Sequence, residues 1–173
     1  MISKIFKKSL VIELDNDAYL RPITVNDVTQ LYVNGLNDCE VNCFLVAAKK
    51  NRQSCKSVKS YVRGNWECDN AILFGLFIND ILRGTIRLHD IKGVTSCIGI
   101  AIFDKTIWGQ GWGGKILLTI TEFACNKLNL REIKAVIEFS NIISQKMFLA
   151  AAYIRDINYS DKDKCIYIYS YKQ

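Results

Sequence analysis

Apolar and polar residues repeat with strand-like periods in the middle of the chain, and these periods predict its central elements. An apolar run over residues 71–78, the turn residues Asn79 and Asp80, and a second run over 81–88 predict a β-hairpin. Residues 96–103, rich in isoleucine, predict a third strand that follows a turn at 89–93. Strands joined by such short turns run antiparallel, so we expect a three-stranded meander.

Apolar residues at helical spacing predict the helices. Thr24 and Asp27 resemble a capping box and mark the expected start of one helix, and Ser54 is the expected cap of another. Two more helices are predicted over residues 114–128 and 141–152. The polar segment 37–53 is expected to be irregular.

Shorter apolar runs predict the remaining strands. They cover residues 10–14 and 18–23, joined by a turn at 15–17, then 132–139, and finally 153–159 and 165–171, joined by a turn at 160–163. The element order is ββα, α, a meander, then αβαββ. It predicts a mixed α/β (α+β) fold with a largely antiparallel central sheet flanked by helices, and 173 residues suit one domain over 1–173.

Composition narrows the class of protein. Half of the residues are hydrophobic, which is enough for a packed core, yet no apolar run reaches the roughly 18 residues of a membrane helix. The amino terminus lacks a signal-peptide pattern, and the seven cysteines are scattered without a CxxC pair. We therefore expect reduced thiols, a cytoplasmic protein, no membrane partner and no metal site.

The charge pattern bears on ligands. A formal net charge of +6 is moderate, and the basic residues form no dense stripe with interleaved aromatic residues, so nucleic acid is not expected as a partner. A basic surface does attract a polyanionic ligand such as coenzyme A or a nucleotide sugar.

A glycine-rich segment between a predicted strand and a predicted helix is the strongest functional signal. Backbone amides at a helix start bind anions, and glycine lets the backbone approach a phosphate closely. The residues in question are Gln110, Gly111, Trp112, Gly113, Gly114 and Lys115. The segment is either a phosphate site or a glycine-rich turn without a ligand.

Three phosphate motifs overlap in this segment. Gly109, Gly111 and Gly114 fit the dinucleotide pattern, but that loop belongs between parallel strands. A nucleotide-triphosphate loop needs a hydroxyl residue where Ile116 stands, so its Mg²⁺ ligand is missing. Gln110 and Gly113 match the acyl-CoA pattern Gln/Arg-x-x-Gly-x-Gly/Ala, with Lys115 as a departure at its last position.

The chain resembles the GNAT acetyltransferase superfamily, and within it the ribosomal-protein alanine acetyltransferases. The resemblance covers residues 18–155 and is carried by three stretches, 19–27, 98–115 and 141–153. The last of them fits N-x-x-S-x-x-x-[YF]-x-x-x-G-F at Asn141, Ser144, Phe148 and Tyr153, with Ala152 in place of glycine. The resemblance implies an acetyl-CoA-dependent N-acetyltransferase, present as a monomer or homodimer.

The resemblance also implies cofactor-binding residues. Besides the glycine loop, the pantetheine arm would contact the backbone of Ile100, Ala101 and Ile102. Asn141, Ser144 and Phe148 would line the same arm, although Asn141 also suits a helix N-cap. One amide of the strand would polarise the thioester carbonyl, as in an oxyanion hole.

Two departures concern the catalytic groups. Phe148 stands where many relatives have a tyrosine that protonates the CoA thiolate, and phenylalanine cannot donate a proton. Cys97 stands where relatives often have a glutamate base. His89 and Glu138 are candidate bases, and Asp90 and Glu67 are further candidates for the same role. Ser144 is a candidate proton donor.

The acceptor is the least defined part of the prediction. The resemblance assigns it to segment 37–54 and the last hairpin, where Asp38, Glu40 and Asn42 would hold an ammonium or sugar hydroxyls, unless they are ordinary solvated side chains. A small amine or amino sugar, including a nucleotide-linked one, is preferred over a protein N-terminus. A non-catalytic acyl-CoA-binding module and a nucleotide-binding protein remain as alternatives.

Overall fold

The computed structural model describes residues 2–15, 17–45, 51–159 and 161–171. Asn16 and Ser160, which belong to two of the predicted turns, lie outside the described residues, as does part of the segment 37–54 expected to contact the acceptor. The described residues form one sheet of eight strands.

The strands and helices have the following bounds. The strands are β1 (Ile12–Asp15), β2 (Ala18–Pro22), β3 (Ile72–Ile78), β4 (Ile81–Lys92), β5 (Thr95–Ile102), β6 (Glu132–Glu138), β7 (Ile154–Arg155) and β8 (Lys164–Ser170). The helices are α1 (Lys4–Ser9), α2 (Gln30–Asn37), α3 (Cys39–Asn42), α4 (Cys55–Glu67), α5 (Trp112–Leu128) and α6 (Ile142–Ala150).

The strands lie in the order β1-β2-β3-β4-β5-β6-β8-β7, and the sheet is antiparallel except at one place. β3, β4 and β5 form the predicted meander, and β5 pairs with β6 in parallel. The predicted mixed fold with a largely antiparallel sheet is therefore confirmed.

The two faces of the sheet are covered by different helices. Alternate strand residues such as Phe74, Ile86 and Leu88 pack with Ile116 and Ile120 of α5. Residues on the other face, such as Leu73, Phe77 and Leu82, pack with Val33 of α2 and with Val58 and Val62 of α4. The register of β4 shifts near Arg83 and again after His89, so alternation of side chains assigns the residues of β5 and those of β4 from Gly84 to His89 to one face or the other.

The turn predicted at 89–93 is wrong, since β4 continues to Lys92. Asp90 adopts a left-handed conformation with φ 52°, the register shifts between His89 and Lys92, and the chain reverses at Gly93 with φ 59°. An aspartate tolerates that conformation, so the strand passes through a bulge instead of ending. His89 therefore lies inside the sheet.

Three other predicted elements differ in extent. The capping box of Thr24 and Asp27 is present, but it opens only a 3₁₀ turn (Val25–Asp27), and α2 begins later after the cap Thr29. The segment expected to be irregular contains α3. The strand predicted over 153–159 is reduced to β7.

The first helix, α1, was not expected. Lys7 of this helix is 2% exposed, and its Nζ donates to the carbonyls of Asn65 (2.8 Å), Trp66 (3.2 Å) and Cys68 at the end of α4. The last carbonyls of a helix have no intrahelical partner, so the ammonium satisfies them. Burial lowers the pKa of Lys7, against the attraction of nearby Cys68 and Asp69.

No helix within the described segments has both the length and the hydropathy that crossing a membrane requires.

Candidate active site

The parallel strands β5 and β6 stay together for only three residue pairs. Thr95, Ser96 and Cys97 pair with Glu132, Ile133 and Lys134, and beyond Cys97 the two strands have no further register. β5 continues to Ile102 beside β4, and β6 continues to Glu138 beside β8. The sheet therefore opens between the second halves of β5 and β6.

One edge of β5 faces this opening. Alternate residues of a strand direct their N–H and C=O groups to alternate sides. The carbonyl of Val94 accepts from Glu132 on the β6 side, so the backbone groups of Ile100 point to the same side. Ala101, paired with Thr85, points toward β4, and the carbonyl of Ile102 accepts from Trp108 Nε1 at 3.0 Å. Of the three residues predicted to grip a pantetheine arm, Ile100 has its backbone groups on the open edge.

The glycine loop lies directly after β5 and starts α5. Gly109 and Gly111 have φ values of 75° and 83°, a region that favours glycine. Gly111 is the N-cap of α5, and no side chain caps the first-turn amides. The amides of Trp112, Gly113 and Gly114 are therefore available to an anion at the positive end of a 17-residue helix.

Side chains of the loop hold its shape. Gln110 Nε2 donates to the carbonyl of Thr106 at 2.9 Å, which ties the loop to the preceding turn. Lys115 forms an ion pair with Asp15 of β1, and its Nζ lies 5.5 Å from the centroid of the Trp112 ring. Lys115, the charged residue of the predicted phosphate segment, is therefore engaged with a carboxylate.

The second half of α6 lies beside the start of α5. A Cβ at Gly113 would stand 2.8 Å from the sulfur of Met147 in α6. Asn141 caps α6, because its Oδ1 accepts from the amide of Ser144 at 3.1 Å. The N-cap interpretation of Asn141 is therefore confirmed, and its amide nitrogen stays available to a ligand. Both predicted polar residues of this segment are half-buried at the end of the sheet where the glycine loop lies.

Phe148 is almost fully buried, so little of its side chain is accessible to a bound ligand. It is 3% exposed and packs edge-on against Tyr153, with ring centroids 5.0 Å apart. The hydroxyl of Tyr153 is hydrogen-bonded to Thr121 at 2.7 Å in the core, and burial raises its pKa. Tyr153 therefore cannot replace the missing tyrosine at position 148 as a proton donor.

His89 and Cys97 lie together on the sheet face opposite α5. They are register partners in β4 and β5, and Cys97 is in turn paired with Lys134 of β6. His89 Nδ1 lies 2.8 Å from Asp90 Oδ2, and ligand atoms of His89, Asp90 and Cys97 all lie within 4.8 Å of one another. Burial raises the pKa of the Cys97 thiol, and Asp90 adds to that effect.

This group can act in two ways. An imidazole held at one nitrogen by a carboxylate is suited to proton transfer at the other nitrogen. Within the described residues it is also the one set of three His, Cys, Asp or Glu side chains close enough to hold a metal ion. The sequence analysis named both His89 and Asp90 as candidates but did not predict their hydrogen bond, because that contact depends on the bulge.

Glu138, the second candidate base, is not brought to His89. It lies at the end of β6, paired with Lys164 of β8. It is four residues beyond Lys134, which is about 13 Å along a strand. The two candidate bases therefore belong to different parts of the opening.

Two of the three polar residues predicted to hold the acceptor, Asp38 and Glu40, are engaged elsewhere. Lys105 forms ion pairs with Asp38 at 2.8 Å and with Glu40 at 2.5 Å. The hydrogen bond with Lys105 lowers the pKa of Asp38, and the hydrogen bonds with both carboxylates raise the pKa of Lys105. These two carboxylates are satisfied by a lysine without any ligand.

Solved structures share this fold. RimL, a ribosomal L7/L12 α-N-protein acetyltransferase in complex with coenzyme A, has a TM-score of 0.79 at 15% identity, over 93% of this chain and 98% of that chain. Spermidine N-acetyltransferase from Vibrio cholerae, in complex with CoA and spermine, has a TM-score of 0.75 at 14% identity, over 90% and 96%. Ribosomal-protein-S5-alanine acetyltransferase from Vibrio fischeri has a TM-score of 0.73 at 17% identity, over 94% and 97%.

No curated protein sequence matches the chain significantly. The acetyltransferase (GNAT) domain family matches residues 18–151, which is most of the chain and includes the meander, the glycine loop and the start of α6. The chain therefore belongs to the GNAT acetyltransferase family.

Proposed function

We propose that the chain transfers the acetyl group of acetyl-CoA to the primary amine of a small amino sugar, including a nucleotide-linked one. Membership of the family makes it an acetyltransferase. The observation that carries the proposal is the opening between β5 and β6, which leads directly to the uncapped start of α5.

The residues around the opening fit coenzyme A. First-turn amides of α5 suit a pyrophosphate, and Gly114 leaves open space beside them. The backbone of Ile100 would bind the amide-bearing pantetheine arm from one side, and Asn141 and Ser144 from the other. When bound, acetyl-CoA supplies the activated acetyl group.

The chain's own residues would handle the protons. His89, oriented by Asp90, would accept the proton of the ammonium, and Ser144 would return a proton on the other side of the opening. Holding the two reactants together and polarising the carbonyl with a backbone amide would supply much of the rate. Glu138, acting through water, is the second candidate base.

The acceptor class has one serious alternative. Among the fold neighbours, RimL acts on a ribosomal protein and another on spermidine, so a protein N-terminus is the second candidate acceptor. A non-catalytic acyl-CoA-binding module is the remaining alternative. Seven free thiols suit a reducing compartment such as the cytoplasm.

Ligand-dependent melting followed by an amine panel tests the proposal. Coenzyme A should raise the melting temperature by several degrees, because a ligand that binds only the folded state stabilises it. ATP with Mg²⁺ should do much less, since Ile116 offers no oxygen to the metal. Thiol release from acetyl-CoA should then depend on an added amine. Equal shifts by both ligands, or binding without thiol release, would contradict the enzymatic proposal.

A further inference from the structure

One partly buried guanidinium beside the candidate site lacks an acidic partner among the described residues. In that part of the chain three arginines are half-buried, all on strands. Arg21 is ion-paired with Asp27, and Arg83 with Asp104. No ion pair between described residues includes Arg87.

Arg87 is nevertheless held in position. Its Nε donates to Oδ1 of Asn65 at 2.6 Å, and its guanidinium lies 5.7 Å from the ring centroid of Tyr61, both in α4. Asn65 is 6% exposed, and its Nδ2 donates to the carbonyl of Tyr61 at 2.9 Å, which turns Oδ1 toward the arginine. The Tyr61 side chain is also within hydrogen-bond reach of Arg87. Both contacts are to neutral groups and include no carboxylate, so the positive charge of the guanidinium is left for another group.

The place in front of Arg87 is open. Its partner in β5 is Gly99, which is exposed, and a Cβ built there meets no atom within 4 Å. Gly99 lies two residues beyond the last β5–β6 pair, at the start of the opening. Arg87, Gly99, His89 and Cys97 share the sheet face opposite α5.

We propose that Arg87 binds a phosphate or carboxylate carried by the amine acceptor, an inference that rests on the proposed function. A planar guanidinium forms paired hydrogen bonds with such oxyanions. Arg87 is two residues from His89 on one strand face, about 7 Å, which is close to the length of a sugar ring. The acceptor is thus an amine with an anionic group about one ring away, and a phosphorylated or acidic amino sugar meets this requirement.

Matched amino sugars test the proposal. Glucosamine, its 1- and 6-phosphates and glucosaminuronic acid are compared as ligands of the CoA-saturated protein by calorimetry, and as acceptors in steady-state kinetics. At least one anionic sugar should bind about tenfold or more tightly than glucosamine, with a correspondingly lower KM. The phosphate and carboxylate arms show which oxyanion is preferred.

Arg87→Gln should weaken binding of the preferred anionic sugar by about 10- to 100-fold and leave that of glucosamine within about twofold. Arg63→Gln removes an exposed arginine of α4, the helix that contacts Arg87, and should change neither affinity. Equal binding by Arg87→Gln and the parent protein, tighter binding of glucosamine, which has no anionic group, or no binding of any anionic sugar to the CoA complex would each overturn the inference. Failure to bind coenzyme A would overturn the proposed function instead.

Discussion

His89 in β4 lies directly opposite Cys97 in β5, at the last rung before β5 separates from β6. Resemblance to the family assigns the position of Cys97 to a carboxylate base. A neighbouring strand thus presents an imidazole beside the position where that carboxylate is missing. His89 of β4 would then act as the base in place of a carboxylate on β5, and proton transfer would take place at nearly the same location.

His89→Gln should lower turnover by about a hundredfold or more, since general-base catalysis is typically worth that much. Affinity for coenzyme A, measured by calorimetry, should stay within about twofold. Lys92→Gln, an exposed change on the same strand, serves as the control and should leave turnover unaltered. A near-normal rate in His89→Gln would remove His89 as the base and direct attention to Glu138.

Cys97 should be alkylated slowly by iodoacetamide at pH 7.5. Burial raises its pKa, so less reactive thiolate is present at that pH than for a free cysteine with a pKa of about 8.5. Peptide mass spectrometry should show exposed Cys39 and Cys55 modified first, and the rate at Cys97 should increase only at higher pH. Modification of Cys97 ahead of these two would show that the thiol is not shielded.

Gly113→Asp should abolish binding of coenzyme A and keep most of the fold. A carboxylate among the first-turn amides repels a phosphate and occupies the space that the backbone needs. The new Cβ also approaches the flexible end of Met147, so Gly113→Ala is required as a steric control. We expect the alanine variant to retain measurable affinity and the aspartate variant none. Equal affinity in both variants and the parent would place the phosphates elsewhere.

Phe148→Tyr adds a hydroxyl where many relatives have their proton donor. We expect turnover to change by less than about twofold, because positioning and backbone polarisation would dominate the rate. The ring is almost fully buried, so a hydroxyl without a partner would also lower stability by about 1–3 kcal/mol. A faster enzyme or a shifted pH–rate profile would show instead that thiolate protonation limits turnover.

Lys7→Ala should destabilise the protein by about 2–3 kcal/mol, because three carbonyls at the end of α4 lose a charged donor. Lys4→Ala and Lys8→Ala, exposed changes in the same helix, should each cost less than about 0.5 kcal/mol. Urea denaturation measures all three. Equal effects of the three substitutions would mean that the buried contacts of Lys7 add nothing.

Local signals allowed the centre of the fold to be predicted from sequence. The hairpin of β3 and β4 has a strong turn at Asn79 and Asp80, and both residues adopt positive φ. Helix α1 could not be predicted, because a six-residue helix is stabilised by tertiary contacts such as those of Lys7. The continuation of β4 through Asp90 could not be predicted either, since a bulge and a turn have similar residues.

The candidate site likewise has a part that local sequence predicts and a part that depends on contacts between distant residues. The glycine loop is a local feature, and its position before α5 follows from the consecutive residues 109–115. The surroundings of Arg87 depend on Asn65, which is 22 residues away in sequence, so no spacing pattern indicates them. The pairing of Asp38 and Glu40 with Lys105 likewise joins residues more than sixty positions apart.

The short run of parallel pairing between β5 and β6 has a mechanical consequence. Three rungs connect β6, β7 and β8 to the rest of the sheet, although α6 also packs against α5. A molecule that lies in the opening and bonds to both edges would complete the sheet as an additional strand does. Occupancy of the opening and the resistance of the segment from β6 to β8 to proteolysis and hydrogen exchange should therefore rise together.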